Sequence, residues 1–256
     1  MLVVHDTLVH EGNAALAKDL PLEAARKLLE GGAALRVPVT GSVYGVLLND
    51  PAALAALGEA SSQPPYKAPP KAPVLYLKPR NTVIGHGAPI PAPAGVTELS
   101  MGPSLGIVIG RTACRVKAAD AASVIAGYVV VNDVSIPHTS FYRPSVRLRA
   151  RDGFCPVGPW VRAASRVGIP DGARVRMWID GELAMDASPA FQRPIARLLE
   201  DVTDFMTLQA GDVLLAGQAW PCPTARPGQL VEIEIDGVGR LSNRIVEESM
   251  LVGEGK

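Results

Sequence analysis

A chain of 256 residues carrying 25 basic and 25 acidic side chains is formally neutral, which argues against nucleic acid or an anionic membrane surface as its partner. The length suffices for one sizeable core, and three cysteines, Cys114, Cys155 and Cys222, are too few and too scattered for a disulfide framework or a zinc knuckle. The opening MLVVHDTLVHEGN has no cationic stretch before an apolar run, and no segment approaches the roughly 20 apolar residues of a membrane span. A reducing, cytoplasmic setting without a membrane partner is the expectation.

Residues 1 to about 40 read as a short strand and a helix, with Pro21 in its first turn, a stripe of Leu22, Ala25, Leu28 and Leu29, and Gly31-Gly32 as its stop. Val43 to Leu48 reads as a strand, and Asp50 caps a small helix that has Pro51 first and runs to Gly58. SSQPPYKAPPKAP is too rich in proline for regular structure and is expected to be a loop or a lid. Val74 to Leu77 is a strand that hands over Lys78, and the Gly- and Pro-punctuated PRNTVIGHGAPIPAPAG after it is expected to wrap rather than pair. Leu105 to Ile109 is a strand. Ala118 to Ala126 reads as a helix stopped by Gly127.

The run Tyr128 to Val131 is a strand that delivers Asn132 and Asp133 to its end. A loop with Tyr142 and four arginines, Arg143, Arg147, Arg149 and Arg151, follows, and the segment closes on the turn-rich Pro156-Val157-Gly158-Pro159. A carboxylate facing several guanidinium groups suits a di- or tricarboxylate substrate, because arginine pairs with carboxylates through two parallel hydrogen bonds and keeps its charge. A solvated arginine loop is the other reading. Lys78 at a strand end can hold a substrate carboxylate or enolate oxygen, or can simply end a strand. His86 and His138 lack a partner at ligand spacing and read as structural or exposed. Val175, Met177 and Ile179 alternate into an Asp180-Gly181 hairpin. A helix from Pro194 carries Ile195, Leu198, Leu199, Val202, Phe205 and Met206 on one face. Strands at Val213 to Ala216, Val231 to Ile235 and Leu241 to Val246 complete a β-rich mixed α/β chain with few helices.

YLKPRNTVIG (Tyr76 to Gly85), LGIVIG (Leu105 to Gly110), IAGYVVVNDVS (Ile125 to Ser135), RDGFCPVGPW (Arg151 to Trp160), AGDVLLAGQ (Ala210 to Gln218) and DGVGRLSNRIVEE (Asp236 to Glu248) together resemble the fumarylacetoacetate hydrolase family. The likeness covers about residues 42 to 248, so residues 1–41 read as an N-terminal extension of a family domain over 42–256. It implies a pseudo-barrel (β-roll) of mixed sheets, a Mg or Mn cofactor, and a homodimer or a hetero-oligomer with a second family subunit. The activity implied is that of a subunit which decarboxylates 5-oxopent-3-ene-1,2,5-tricarboxylate and isomerises 2-hydroxyhepta-2,4-diene-1,7-dioate through one dienolate. A non-catalytic scaffold is the alternative, and an acylpyruvate-type hydrolase a third reading. The resemblance further implies Asp133 as metal ligand, Lys78 and Arg149 as catalytic residues, and Tyr142, Arg143, Lys78 and Gln218 around the substrate. The chain also departs from the family pattern. The family's two glutamates fall on Gly102 and Ser104, its lysine before RDG on Arg149, its threonine and proline of a GTP turn on Gln218 and Ala219, and its helix histidine near Ala53. These departures point to the partner of a metal-binding second subunit.

Overall fold

The computed structural model describes residues 36–140, 142 and 145–251; the helix expected over the first forty residues lies outside them. Among the described residues fourteen strands follow one another: β1 (Val43–Leu47), β2 (Val74–Lys78), β3 (Val83–Ile84), β4 (Ile90–Ala92), β5 (Leu99–Ser100), β6 (Pro103–Ile109), β7 (Ile125–Asn132), β8 (Cys155–Ala163), β9 (Val175–Ile179), β10 (Glu182–Ala187), β11 (Val213–Gln218), β12 (Thr224–Ala225), β13 (Leu230–Ile235) and β14 (Gly239–Glu247). They form a seven-stranded sheet in the order β2-β1-β11-β6-β7-β8-β3, a five-stranded sheet β10-β9-β13-β14-β4, and the small pair β12-β5.

β7 runs between β6 and β8 in the larger sheet, both antiparallel to it. Its side chains alternate faces. Tyr128 and Val130 enter the main core, whereas Val129 and Val131 enter a second cluster with Val108, Val157 and Val213. Burial on both faces explains why this strand reads as an unbroken apolar run. The main core is shared with the smaller sheet through Val231, Ile233 and Ile235 of β13, while the intervening Glu232 and Glu234 face outward and pair with Arg240. The helix Ile195–Phe205 closes the core with Ile195, Leu198, Leu199 and Val202.

Several expectations hold. Asp50 Oδ1 accepts from Ala52 N at 2.8 Å and caps the helix Pro51–Ala56, and the β9–β10 turn has positive φ at Asp180 and Gly181, 51° and 83°. Others are corrected. Phe205 is 64% exposed; Thr203 takes an inner place, its hydroxyl accepting from Val116 N at 3.0 Å. The turn-rich Arg151 to Trp160 contains a nine-residue strand, β8. Its ladder with β7 slips between Tyr128 and Val130, opposite Gly158-Pro159, and an irregularity of this kind accommodates a proline inside a sheet. The segment expected to wrap supplies β3 and β4, each pairing in parallel at a sheet edge, where proline is tolerated.

The helix expected over Ala118 to Ala126 is a 3₁₀ stretch, Ala118–Val124, and Gly127 belongs to β7 rather than to a helix stop. Gly127 is required by proximity: a Cβ there would lie 2.2 Å from the Arg162 carbonyl oxygen. Gly127→Ala is therefore expected to cost about 1–3 kcal/mol of stability by forcing β7 and β8 apart. Urea unfolding checks it, and a change below about 0.5 kcal/mol would mean that the strands give way freely. Among the described residues no helix is long and apolar enough to cross a membrane.

Candidate functional site

Three strand ends and one short helix meet at Asp133. The carboxylate leaves the end of β7, Lys78 ends β2, Gln218 ends β11, and Arg149 ends the helix Val146–Arg149. Asp133 is fully buried. Its Oδ1 lies 2.7 Å from Lys78 Nζ, and its Oδ2 accepts from Arg149 Nη1 at 3.1 Å, from Gln218 Nε2 at 2.7 Å and from the Tyr76 hydroxyl. The carbonyls of Val134, Arg149 and Phe154 accept from Lys78 Nζ at 2.8, 3.0 and 2.8 Å. An ammonium has three N–H groups, shared here among four oxygens of which Asp133 Oδ1 is the nearest. The Arg149 guanidinium lies 4.9 Å from the centre of the Tyr76 ring.

Charge states follow from this packing. Burial alone would push the Asp133 carboxyl up, but Lys78 and Arg149 outweigh it and hold the group below the ordinary carboxylate range. Burial, then Asp133, raises Tyr76 well above a usual phenol, and the same two causes push the Cys222 thiol up to about 12. Tyr76 and Cys222 are therefore neutral near pH 7.

The backbone around Asp133 is fixed as well. Gly102 N donates to Asn132 Oδ1 at 3.0 Å, Asp133 N donates to Gly102 O at 2.8 Å, and Ser104 Oγ donates to Gly217 O at 2.7 Å. A Cβ at Gly102 would lie 2.1 Å from Gln218 Nε2 and 2.5 Å from the Asp133 carbonyl oxygen. The Gln218 carboxamide thus fills the space that a side chain at 102 would need, and it donates to both the carbonyl and the carboxylate of Asp133.

Of the residues singled out in the sequence, Lys78, Asp133, Arg149 and Gln218 converge. Tyr142 is 53% exposed and packs edge-on against Tyr66 of the proline-rich loop, with ring centres 6.0 Å apart. Arg143 lies outside the described residues. Arg147 and Arg151 do not join Arg149 at Asp133: Arg147 is exposed, and Arg151 Nε donates to the Arg147 carbonyl. Two residues along a helix turn the side chain by about 200°, so Arg147 and Arg149 face opposite ways. Glu98, upstream of the expected glutamate positions, accepts from Thr224 Oγ1 at 3.2 Å. His86 ties the loop before β4 to β14, its Nδ1 accepting from Ser242 N at 3.1 Å. His138 Nδ1 lies 2.8 Å from the Ile136 carbonyl oxygen. Sequence reading overlooked Tyr76, although the signal was present, since alternation along β2 puts it on the face of Lys78. Cys222, close to Gln218 Oε1 at 3.7 Å, carried no such signal.

The residues present do not fit a divalent cation. Mg and Mn take several oxygen ligands, most often carboxylates with room for water. The single carboxylate here is paired with two cations and accepts from a phenol and an amide. Among the described residues no group of three or more His, Cys, Asp or Glu is placed to hold a metal ion.

The model of the family described as "Fumarylacetoacetate (FAA) hydrolase C-terminal" matches residues 42–246. A 4-hydroxyphenylacetate degradation bifunctional isomerase/decarboxylase of Escherichia coli is 44% identical over 209 residues, covering 81% of this chain and 48% of that protein. The chain therefore spans about half the length of this curated relative. The crystal structure of a 2-hydroxyhepta-2,4-diene-1,7-dioate isomerase from Mycobacterium marinum superposes with a TM-score of 0.66 at 28% identity, covering 87% of this chain and 79% of that one. A maleylpyruvate hydrolase from Sphingobium sp. SYK-6, solved with manganese(II) and pyruvate, superposes with a TM-score of 0.68 over 88% of this chain and 81% of that one; at 24% identity it speaks for the fold alone. With two sheets around a common core and a family match over most of its length, this chain belongs to the fumarylacetoacetate hydrolase family.

Proposed function

We propose that this chain is a subunit of a 5-oxopent-3-ene-1,2,5-tricarboxylate decarboxylase / 2-hydroxyhepta-2,4-diene-1,7-dioate isomerase of 4-hydroxyphenylacetate catabolism, acting in the cytoplasm together with a second family subunit. The observation that carries the reading is the buried Lys78–Asp133–Arg149 network in a chain 44% identical to half of a bifunctional isomerase/decarboxylase. Both reactions pass through a dienolate. When CO2 leaves, the electron pair of the broken C–C bond moves into the enolate, and in the isomerisation a proton leaves one carbon and returns at another. Fixed positive charge beside the developing oxyanion lowers the barrier of each. Arg149 supplies that charge from this chain. Lys78, whose ammonium is held by Asp133 Oδ1 and three carbonyls, is a positioning residue for Asp133 and Arg149.

Among the described residues that bond to Asp133, none offers a free base. Asp133 is engaged at Oδ2 and paired at Oδ1, and Tyr76 and Cys222 hold their protons at neutral pH. Turnover of the tricarboxylate, followed by CO2 release and diene absorbance, is therefore expected only when this chain is mixed with a family subunit that carries the carboxylate metal set. Absence of turnover in the mixture would remove the reading. A second reading, a scaffold without chemistry, is favoured by Gln218 filling the space beside Gly102. An unchanged rate when Arg149→Gln is used in the mixture would select it.

A further inference from the structure

We propose that a cavity of about 190 Å³ between β4, the turn at 151–153 and the end of β14 binds a small zwitterion, an α-amino acid with a short side chain. Pro91, Pro93, Arg151, Asp152 and Glu248 line it. None of them is among the side chains that bond to the Asp133 carboxylate.

The charges of the lining select the ligand. Arg151 donates through Nε to the Arg147 carbonyl at 3.2 Å, which leaves the donors of its two terminal nitrogens unused among the described residues. The guanidinium and the two carboxylates share the walls without closing on one another, because every ion pair among the described residues is made by other groups. Two carboxylates repel a simple anion, and a guanidinium repels a simple cation. A molecule with both signs finds a partner for each. Its carboxylate meets the planar fork of Arg151, and its ammonium meets Glu248 and Asp152.

The walls stand before a ligand arrives. Asn81 Nδ2 donates to Asp152 Oδ1 at 2.6 Å and to the Ala150 carbonyl at 3.2 Å, and Asn81 O accepts from Gly153 N at 3.1 Å. Gly153 has a φ of 71°, which glycine adopts readily. A Cβ there would lie 2.5 Å from Pro91 Cδ, so the turn sits flush against β4. On the other side the parallel ladder pairs Val246 with Pro91 and Glu247 with Ala92, and one step further sets Glu248 beside Pro93. The proline rings cannot rotate away and give the ligand's side chain a fixed apolar wall. A wall already in place leaves less to order on binding.

Size and exposure set the probe and the affinity. Sites for drug-sized ligands span roughly 300–1,000 Å³, so this cavity suits a smaller molecule such as L-alanine. Asp152 and Glu248 are exposed and Arg151 is half-buried. Solvent therefore screens each pair, and a Kd on the order of 1 mM is expected.

The test is an NMR titration of the isotope-labelled full chain with L-alanine at low salt. Saturable shifts are expected at the amides of 151–153 and of Glu247 and Glu248, and binding should weaken as salt is added. Acetate and methylammonium, each of one sign only, should bind about fivefold more weakly than L-alanine or worse. Glu248→Gln and Arg151→Gln should each weaken alanine binding roughly fivefold, the scale of one exposed ion pair, and the same spectra show that each variant is folded. Absence of saturable shifts up to roughly 50 mM L-alanine, or shifts centred elsewhere, would overturn the proposal. So would acetate binding as well as L-alanine, which would reduce the site to an anion contact at Arg151. These outcomes depend neither on a variant folding nor on turnover. An affinity unchanged in folded Glu248→Gln would count equally against the proposal.

Discussion

Asp133→Asn is expected to lower the unfolding free energy by about 3–5 kcal/mol, the usual cost of breaking a buried ion pair by removing one partner. The substitution keeps the shape of the side chain, so the loss is not one of packing. It strands Lys78, whose ammonium lies against three carbonyls and pairs with no other carboxylate among the described residues, and it leaves Arg149 without its one hydrogen-bonded carboxylate. For a domain of this size each kcal/mol moves Tm by about 2–4 °C, so a fall on the order of 10 °C is the expected reading, with or without EDTA. Replacing Lys78 by methionine at the same time should cost less than the sum of the two single changes, because the second removes a charge that the first had orphaned. A fall of less than about 1 kcal/mol for Asp133→Asn would show that the network does not hold the centre together. A fall that EDTA reproduces in the unsubstituted chain would show that a metal does.

How much of the fold could be read in advance depended on whether the cue was local. The Asp180-Gly181 hairpin, the capped helix at Pro51 and the alternation of Val231, Ile233 and Ile235 are each fixed by a few adjacent residues, and each appears as expected. Gly127 and the strand Cys155–Ala163 were not legible, because what decides them is another strand. The glycine answers to the Arg162 carbonyl 35 positions away in sequence, and the prolines of β8 are tolerated because the ladder with β7 slips beside them. Local turn signals overstate themselves wherever tertiary pairing wins.

The site divides along the same line. Asp133 and Lys78 stood out as polar residues at the ends of apolar strands, and Arg149 stood out in an arginine-rich stretch. What the sequence left dark was the pairing between them. Four arginines in one segment suggested a cluster, yet helix geometry sends Arg147 to solvent while Arg149 turns inward. Gly102 looked like a missing ligand; in three dimensions its lack of a side chain lets the Gln218 carboxamide, 116 positions away in sequence, reach Asp133. The glycine and the amide depend on each other, which is visible only once both strand ends meet.

The second large effect belongs to a residue outside that centre. Burial holds the His86 imidazole down to about 4, against about 6.5 for a free side chain, and its Nδ1 accepts from Ser242 N. A proton on Nδ1 would set donor against donor and place a charge where the side chain is 5% exposed. The unfolded chain accepts that proton as pH falls below about 6.5, whereas the folded chain resists until about 4, so between these values the unfolded state binds more protons and stability rises with pH. The gap corresponds to about 3 kcal/mol, present in full above pH 6.5 and lost progressively down to pH 4. Urea midpoints at pH 7 and pH 4.5 should differ accordingly. In His86→Asn, whose carboxamide oxygen can accept from Ser242 without titrating, most of the difference should vanish. His138, which burial also holds low, leaves a smaller slope of the same sign. Asp133 does not enter this window, because its carboxyl lies below the ordinary range and its contribution is lost only at still lower pH. An undiminished slope in His86→Asn would assign the acid sensitivity to other groups and remove His86 from the account.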